Sequence, residues 1–127
     1  MKEKVSTGSD IFDNFLNGGY ETDIITTLYG PAGSGKTNLC LLCLKKMVED
    51  GKKVIYIDTE GSFSLERFKQ LCEGYRDVMK NVLFLRPTSF FEQRSTFAKL
   101  KKIVNKKIGL IVIDTVSMIN DNALLEK

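Results

Sequence analysis

The sequence predicts an α/β domain with a mostly parallel sheet flanked by helices. Three observations carry this reading. Two short, almost wholly apolar runs, KVIYID at 53–58 and GLIVID at 109–114, are of the kind found in strands covered on both faces. Segments with helical spacing of apolar residues alternate with such runs, which argues for parallel strands joined by right-handed crossovers. A glycine-rich loop, GPAGSGKT at 30–37, joins a β-branched run to an apolar segment of helical length. At 127 residues the chain is long enough for one core and short for two.

Taken in order, SDIFDNFLNGG opens with Ser9 or Asp10 able to cap a short helix, its buried face formed by Ile11, Phe12, Phe15 and Leu16 and its end set by Gly18 and Gly19. Residues 23–29, DIITTLY, read as a strand running into the glycine loop. Residues 36–50 read as a buried helix, closed by Gly51 as a left-handed cap. The run 53–58 is the second strand. From Ser64 a helix follows, burying Leu65, Phe68, Leu71, Cys72 and Tyr75. Val82 to Leu85 form a third strand ended by Arg86 and Pro87. Ser89 and Glu92 have the spacing of a capping box and open a helix reaching about Lys107. Residues 109–114 are the fourth strand.

Composition narrows the chemistry. A net charge of +3, with lysines and acids interspersed, allows nucleic acid as a partner without requiring it. No stretch has the about 20 apolar residues of a membrane span, and MKEKVSTG lacks the apolar core of a secretion signal, so the expected location is the cytoplasm, with no membrane partner. The chain has no histidine, which removes histidine acid–base catalysis and the commonest zinc sites. Cys40 and Cys43 form a C-x-x-C, but inside the apolar NLCLLCLKKM they read as core thiols rather than a metal or redox pair.

Residues 30–37 fit G-x-x-x-x-G-K-[ST], and a chance match in a chain this size is on the order of one in a few hundred. Glycines at 30, 33 and 35 let the backbone bend and approach an anion without Cβ interference, so that successive N–H groups converge on phosphate oxygens. Pro31, Ala32 and Ser34 complete the loop, and the following helix adds its positive end. Lys36 reaches the β and γ phosphates, and the Thr37 hydroxyl can ligate Mg²⁺. The expected ligand is therefore ATP with Mg²⁺. Asp114, at the end of a buried strand, suits the carboxylate near the metal, with a strand-end helix cap as the plainer reading. Hydrolysis needs a group to prepare water. Glu60 in YIDTEGSF lies where ligands of open α/β sheets bind; spacing alone leaves it equally a catalytic carboxylate or a solvated turn acid. Asp58 competes, although the pleat directs it differently.

GPAGSGKT, YIDTEGSF with the downstream LERF, LIVIDTVS, and NGGYETDIITTLYG ahead of the loop together resemble the ATPase core of RecA-family recombinases, most nearly the archaeal RadA and RadB group. The likeness covers essentially the whole chain. It implies a RecA-like P-loop fold, a water-activating role for Glu60, adenine stacking for Arg67, and a place in DNA recombination and repair. It also implies single- or double-stranded DNA and recombinase or other repair proteins as partners, and a homo-oligomer with nucleotide between subunits. From the residues alone Arg67 is a solvated helix charge. Two departures bear on this. The helical DNA-binding domain and the phenylalanine-bearing polymerisation motif that precede RadA-type cores are not in these residues, which is similar to RadB. The sequence also stops soon after Asp114, where the family continues with DNA-binding loops and further strands, one lying between the P-loop strand and the Walker B strand; the expectation is the N-terminal portion of a longer core spanning 1–127, incomplete at its C-terminus.

Three functional readings follow: a RadB-like ATPase of low, DNA-dependent turnover; a non-hydrolysing module that docks on a recombinase; and a KaiC-like signalling ATPase. The lysines of KLKKIVNKK (Lys99, Lys101, Lys102, Lys106, Lys107) read as a solvated face complementing a helix dipole, with phosphate contact to DNA as the other reading. Phe90 and Phe91 read as core or staple residues, with base stacking second.

Overall fold

In a computed structural model of the chain, residues 3–22, 24–28, 35–59, 61, 63–105 and 107–114 are described. Parallel pairing organises the fold. Strand β3 (Lys53–Asp58) lies between β4 (Val82–Leu85) and β5 (Ile108–Asp114), giving the order β4-β3-β5, all parallel. A separate antiparallel pair, unforeseen in the sequence, joins β1 (Lys4–Val5) to β2 (Tyr20–Glu21). The helices are α1 (Asp10–Phe15), α2 (Lys36–Glu49), α3 (Leu65–Leu71), α4 (Tyr75–Met79) and α5 (Phe90–Ile103).

The expected run from α2 through β3 to β4 is present with nearly the expected bounds. Helix α2 ends at Asp50 and Gly51, whose φ of 89° is the left-handed cap. It packs Leu41, Leu44 and Met47 on the sheet face that carries Val54, Tyr56 and Val112. Phe68 and Cys72 of the α3 region close the same cluster, and Ile55 and Ile57 are equally buried on the opposite face of β3. Burial on both faces is why β3 reads as a continuous apolar run.

Several expectations are corrected. The described residues 24–28 are not in a strand. A strand exists through pairing, and among the described residues β5 pairs only with β3; a groove of about 660 Å³, lined by Ile24, Ile25, Val104 and Ile111, separates the 24–26 segment from β5. Helix α1 begins as expected, with Ser9 Oγ accepting from Phe12 N–H, yet Ile11 and Phe15 are 80% and 79% exposed and Phe12 is exposed too. Spacing shows that these side chains share a face, not that anything covers it. Leu65 is likewise exposed, and the helix from Ser64 breaks at Cys72, whose backbone is extended, before α4 resumes.

Helix α5 stops at Ile103, short of Lys107, and Phe90 and Phe91 are exposed rather than core. Its start is a shifted capping box. Ser89 Oγ accepts from Glu92 N–H at 3.1 Å, while the Glu92 carboxylate accepts from the N–H and hydroxyl of Thr88, one residue before the cap. Those two bonds hold the Glu92 carboxyl below its ordinary range.

One irregularity sets the register of the sheet. Lys53 pairs with Ile108 but Val54 pairs with Leu110, so Gly109 is an extra residue in β5. A Cβ at Gly109 would lie 2.7 Å from Met47 Sδ and 2.8 Å from Lys52 Cβ. Gly109→Ala should therefore destabilise the fold by about 1–3 kcal/mol through overpacking, read as a lower urea midpoint with an unchanged slope. A variant as stable as the parent would refute this account of the bulge.

Candidate nucleotide-binding site

The first turn of α2 meets the carboxyl ends of β3 and β5. Helices α1, α3 and α5 are each capped by a serine hydroxyl, at Ser9, Ser64 and Ser89. Helix α2 is not: its cap is Gly35, with a φ of 93° and no side chain to offer. A Cβ there would meet nothing within 4 Å, so the glycine answers the sign of φ and not crowding. A helix that begins without a side-chain cap directs its first N–H groups outward, the arrangement that suits a phosphate.

Thr37, in that first turn, donates its hydroxyl to Asp114 Oδ2 at 3.0 Å, joining positions 77 residues apart. Asp114 is nearly buried and stands opposite Asp58 in the parallel register; its carbonyl accepts from Thr59 N–H at 2.9 Å. The two metal candidates from the sequence are therefore adjacent, contributed by a helix start and a strand end. Lys36 lies beside them, lining with Asp114 a cleft of about 140 Å³ between α2 and β5. Because the threonine spends its hydrogen on a carboxylate, its lone pairs face away from Asp114. An oxygen-only pair of this kind fits Mg²⁺, which takes few protein ligands and completes its shell with phosphates and water. Among the described residues no cluster of three or more histidine, cysteine, aspartate or glutamate side chains suits a metal.

The other expected site residues are distributed unevenly. Gly30, Pro31, Ala32, Gly33, Ser34 and Glu60 lie outside the described residues. Arg67, exposed on α3, donates from Nη1 to Asn38 Oδ1 at 3.1 Å, which ties α3 to the first turn of α2. Asp58 is buried and braces the turn after β3. Its Oδ2 accepts from Phe63 N–H at 3.1 Å and lies 3.5 Å from the Arg86 guanidinium, which also donates to the Phe63 carbonyl.

Two contributors escaped the sequence reading. Arg86 looked like a strand terminator. Tyr56 looked like one more core residue, yet its phenol donates to Asp114 Oδ2 at 2.9 Å. A hydroxyl inside an apolar strand, two residues from Asp58 and so on its face, was the available signal. The described lysines of the basic cluster, Lys99, Lys101, Lys102 and Lys107, are exposed, with Lys101 and Lys102 in the last turn of α5; Lys106 lies outside the described residues.

Comparison with known proteins settles the ancestry of this arrangement. The family model described as Rad51 matches residues 2–122. The chain belongs to the Rad51 family. It is 49% identical over 105 residues to the DNA repair and recombination protein RadB of Methanococcus maripaludis strain C5, covering 82% of this chain and 48% of the relative. It is 40% identical over 116 residues to RadB of Methanococcoides burtonii, covering 91% and 51%. A solved structure described as the RadB recombinase superposes with a TM-score of 0.81 at 36% identity, covering 94% of this chain and 55% of that one. The chain thus spans about half the length of the curated relatives it matches. The fold is RecA-like, as expected.

Of the C-x-x-C pair in this Rad51-family chain, Cys43 is buried, as expected of a core thiol, whereas Cys40 is half-buried and lines the cleft beside Lys36. Burial pushes Cys40 up to about 12 and Cys43 up to about 11, from an ordinary 9.0. At pH 8 iodoacetamide should alkylate Cys43 about a hundredfold and Cys40 about a thousandfold more slowly in the folded protein than in urea, since only the thiolate reacts. Both pKa values are raised, so the thiols favour the fold fully below about pH 9, and that contribution is lost as pH rises through about 11 to 12. Equal labelling of folded and unfolded chains, followed by mass spectrometry, would contradict this.

Proposed function

We propose that this chain forms the nucleotide-binding part of a RadB-like protein of DNA recombination and repair, which binds ATP with Mg²⁺ and hydrolyses it slowly. The observation that carries the reading is the Thr37–Asp114 hydrogen bond, which brings the glycine-loop threonine and the strand-end carboxylate together across 77 residues. In this reading the loop 30–35 and the open start of α2 hold the phosphates. Lys36 contacts the β and γ phosphates and stabilises charge that develops during in-line attack. Thr37 and Asp114 would hold Mg²⁺, directly or through water, and the ion when bound would supply positive charge beside the phosphates.

Glu60 prepares the attacking water, the role that the family resemblance implies for it. Asp58 is a poor rival for that role because Arg86 and the Phe63 amide already engage its carboxylate. Arg67 stacks on adenine after giving up Asn38, an exchange of one exposed hydrogen bond that costs little. The likeness to DNA repair and recombination proteins supports DNA and recombination proteins as partners; a further copy of the chain at the nucleotide is the arrangement that the RecA-family resemblance implies.

Single-turnover hydrolysis with and without single-stranded DNA tests this. Lys36→Ala should weaken Mg²⁺·ATP binding by about tenfold to a hundredfold, the worth of one charge-assisted contact. Glu60→Gln should keep the affinity and lose about 10²–10⁴-fold in DNA-stimulated turnover. Tight ATP binding without turnover in the parent would instead favour the non-hydrolysing module.

A further inference from the structure

Tyr56 sits at the centre of β3, with no exposed surface. Its ring is held on two sides, by Phe84 across the β3–β4 pair at 5.2 Å between centroids and by Phe63 edge-on at 5.7 Å. Its phenol is thereby fixed at the carboxyl end of the sheet, where it donates to Asp114 Oδ2 at 2.9 Å. The same oxygen accepts the Thr37 hydroxyl at 3.0 Å.

A carboxylate oxygen offers two lone-pair directions, and here both meet hydroxyl donors. Oδ2 is therefore occupied as an acceptor and poorly placed to be a metal ligand itself. What it can do is hold the Thr37 hydrogen, which fixes the direction of the threonine lone pairs.

We propose that Tyr56 is a positioning residue for the metal: its phenol holds Asp114 at the rotation that makes Thr37, rather than Asp114 Oδ2, the protein oxygen presented to Mg²⁺. This rests on the nucleotide reading above. Without the phenol, the carboxylate can rotate about its terminal bond and offer its oxygens to Thr37 and the cation in competing geometries. The cost then falls on the metal-loaded state and spares the nucleotide alone.

The test is calorimetric titration of ADP in excess EDTA and at graded Mg²⁺, with the full chain and with Tyr56→Phe, which removes one oxygen and keeps the ring. The Mg²⁺ needed to half-saturate the ADP complex should rise about tenfold, the worth of one hydrogen bond to a charged group. Affinity for ADP in EDTA should stay within about twofold. An unchanged Mg²⁺ requirement overturns the proposal, as does an equal loss with and without Mg²⁺.

A second measurement keeps the Tyr56 phenol in place. With 3-fluorotyrosine at the four tyrosines, assigned by elimination through Tyr20→Phe, Tyr29→Phe and Tyr75→Phe, the Tyr56 fluorine signal should move when Mg²⁺ is added to the ADP complex. It should not move in Asp114→Asn. A signal indifferent to Mg²⁺ overturns the role of Tyr56 while leaving nucleotide binding intact. A parent chain that binds no ADP under either condition overturns the nucleotide reading itself.

Discussion

The parallel register of β3 against β5 is the constraint on which the site depends. Asp58 stands opposite Asp114 because the two strands pair in register from Val54 and Leu110 onward. Side chains alternate between faces, so a slip of one residue would send Asp114 to the face away from α2 and break its contact with Thr37. The bulge at Gly109 sets that register, and only a residue without a Cβ fits between Met47 and Lys52. A glycine at the far end of the strand thus decides which way a carboxylate points about five residues later.

Polar groups at the carboxyl end of the sheet survive burial by satisfying one another. Asp114 takes hydrogens from Thr37 and Tyr56, and Asp58 takes one from the Phe63 amide and is faced by Arg86. A carboxylate removed from water without such partners would be strongly unfavourable. The aromatic cluster of Tyr56, Phe63, Phe68 and Phe84 lies directly beneath and leaves these groups little freedom to rearrange. Rigid packing below and hydrogen bonds above together hold the Thr37 hydroxyl in one direction.

The N-terminal segment is tied down by different means. Asp13 accepts from the Ser6 hydroxyl at 2.6 Å and from the Thr7 amide and hydroxyl at 2.7 Å each. These bonds, that from Ser6 foremost, hold its carboxyl below the ordinary range. They set α1 against the chain leading to it while its apolar residues face outward. The same segment brings Gly8 against the Leu42 carbonyl, so the N-terminal segment packs on α2. It therefore supports the helix whose first turn carries Lys36 and Thr37.

Local rules were enough to specify much of this protein. The serine caps and the bounds of α2, β3 and β4 follow from steric and hydrogen-bonding needs that act within a few residues, whereas the contact of Thr37 with Asp114, 77 residues apart, needed the sheet register. Tertiary structure alone decided which apolar faces are covered, as Ile11, Phe15, Phe90 and Phe91 show, and whether 24–28 become a strand. It also made Tyr56 and Arg86 part of the site. The physical reason is the same in each case: spacing fixes the direction of a side chain relative to its own backbone, whereas coverage, pairing and the partner of a hydroxyl depend on what a distant segment brings within a few ångströms.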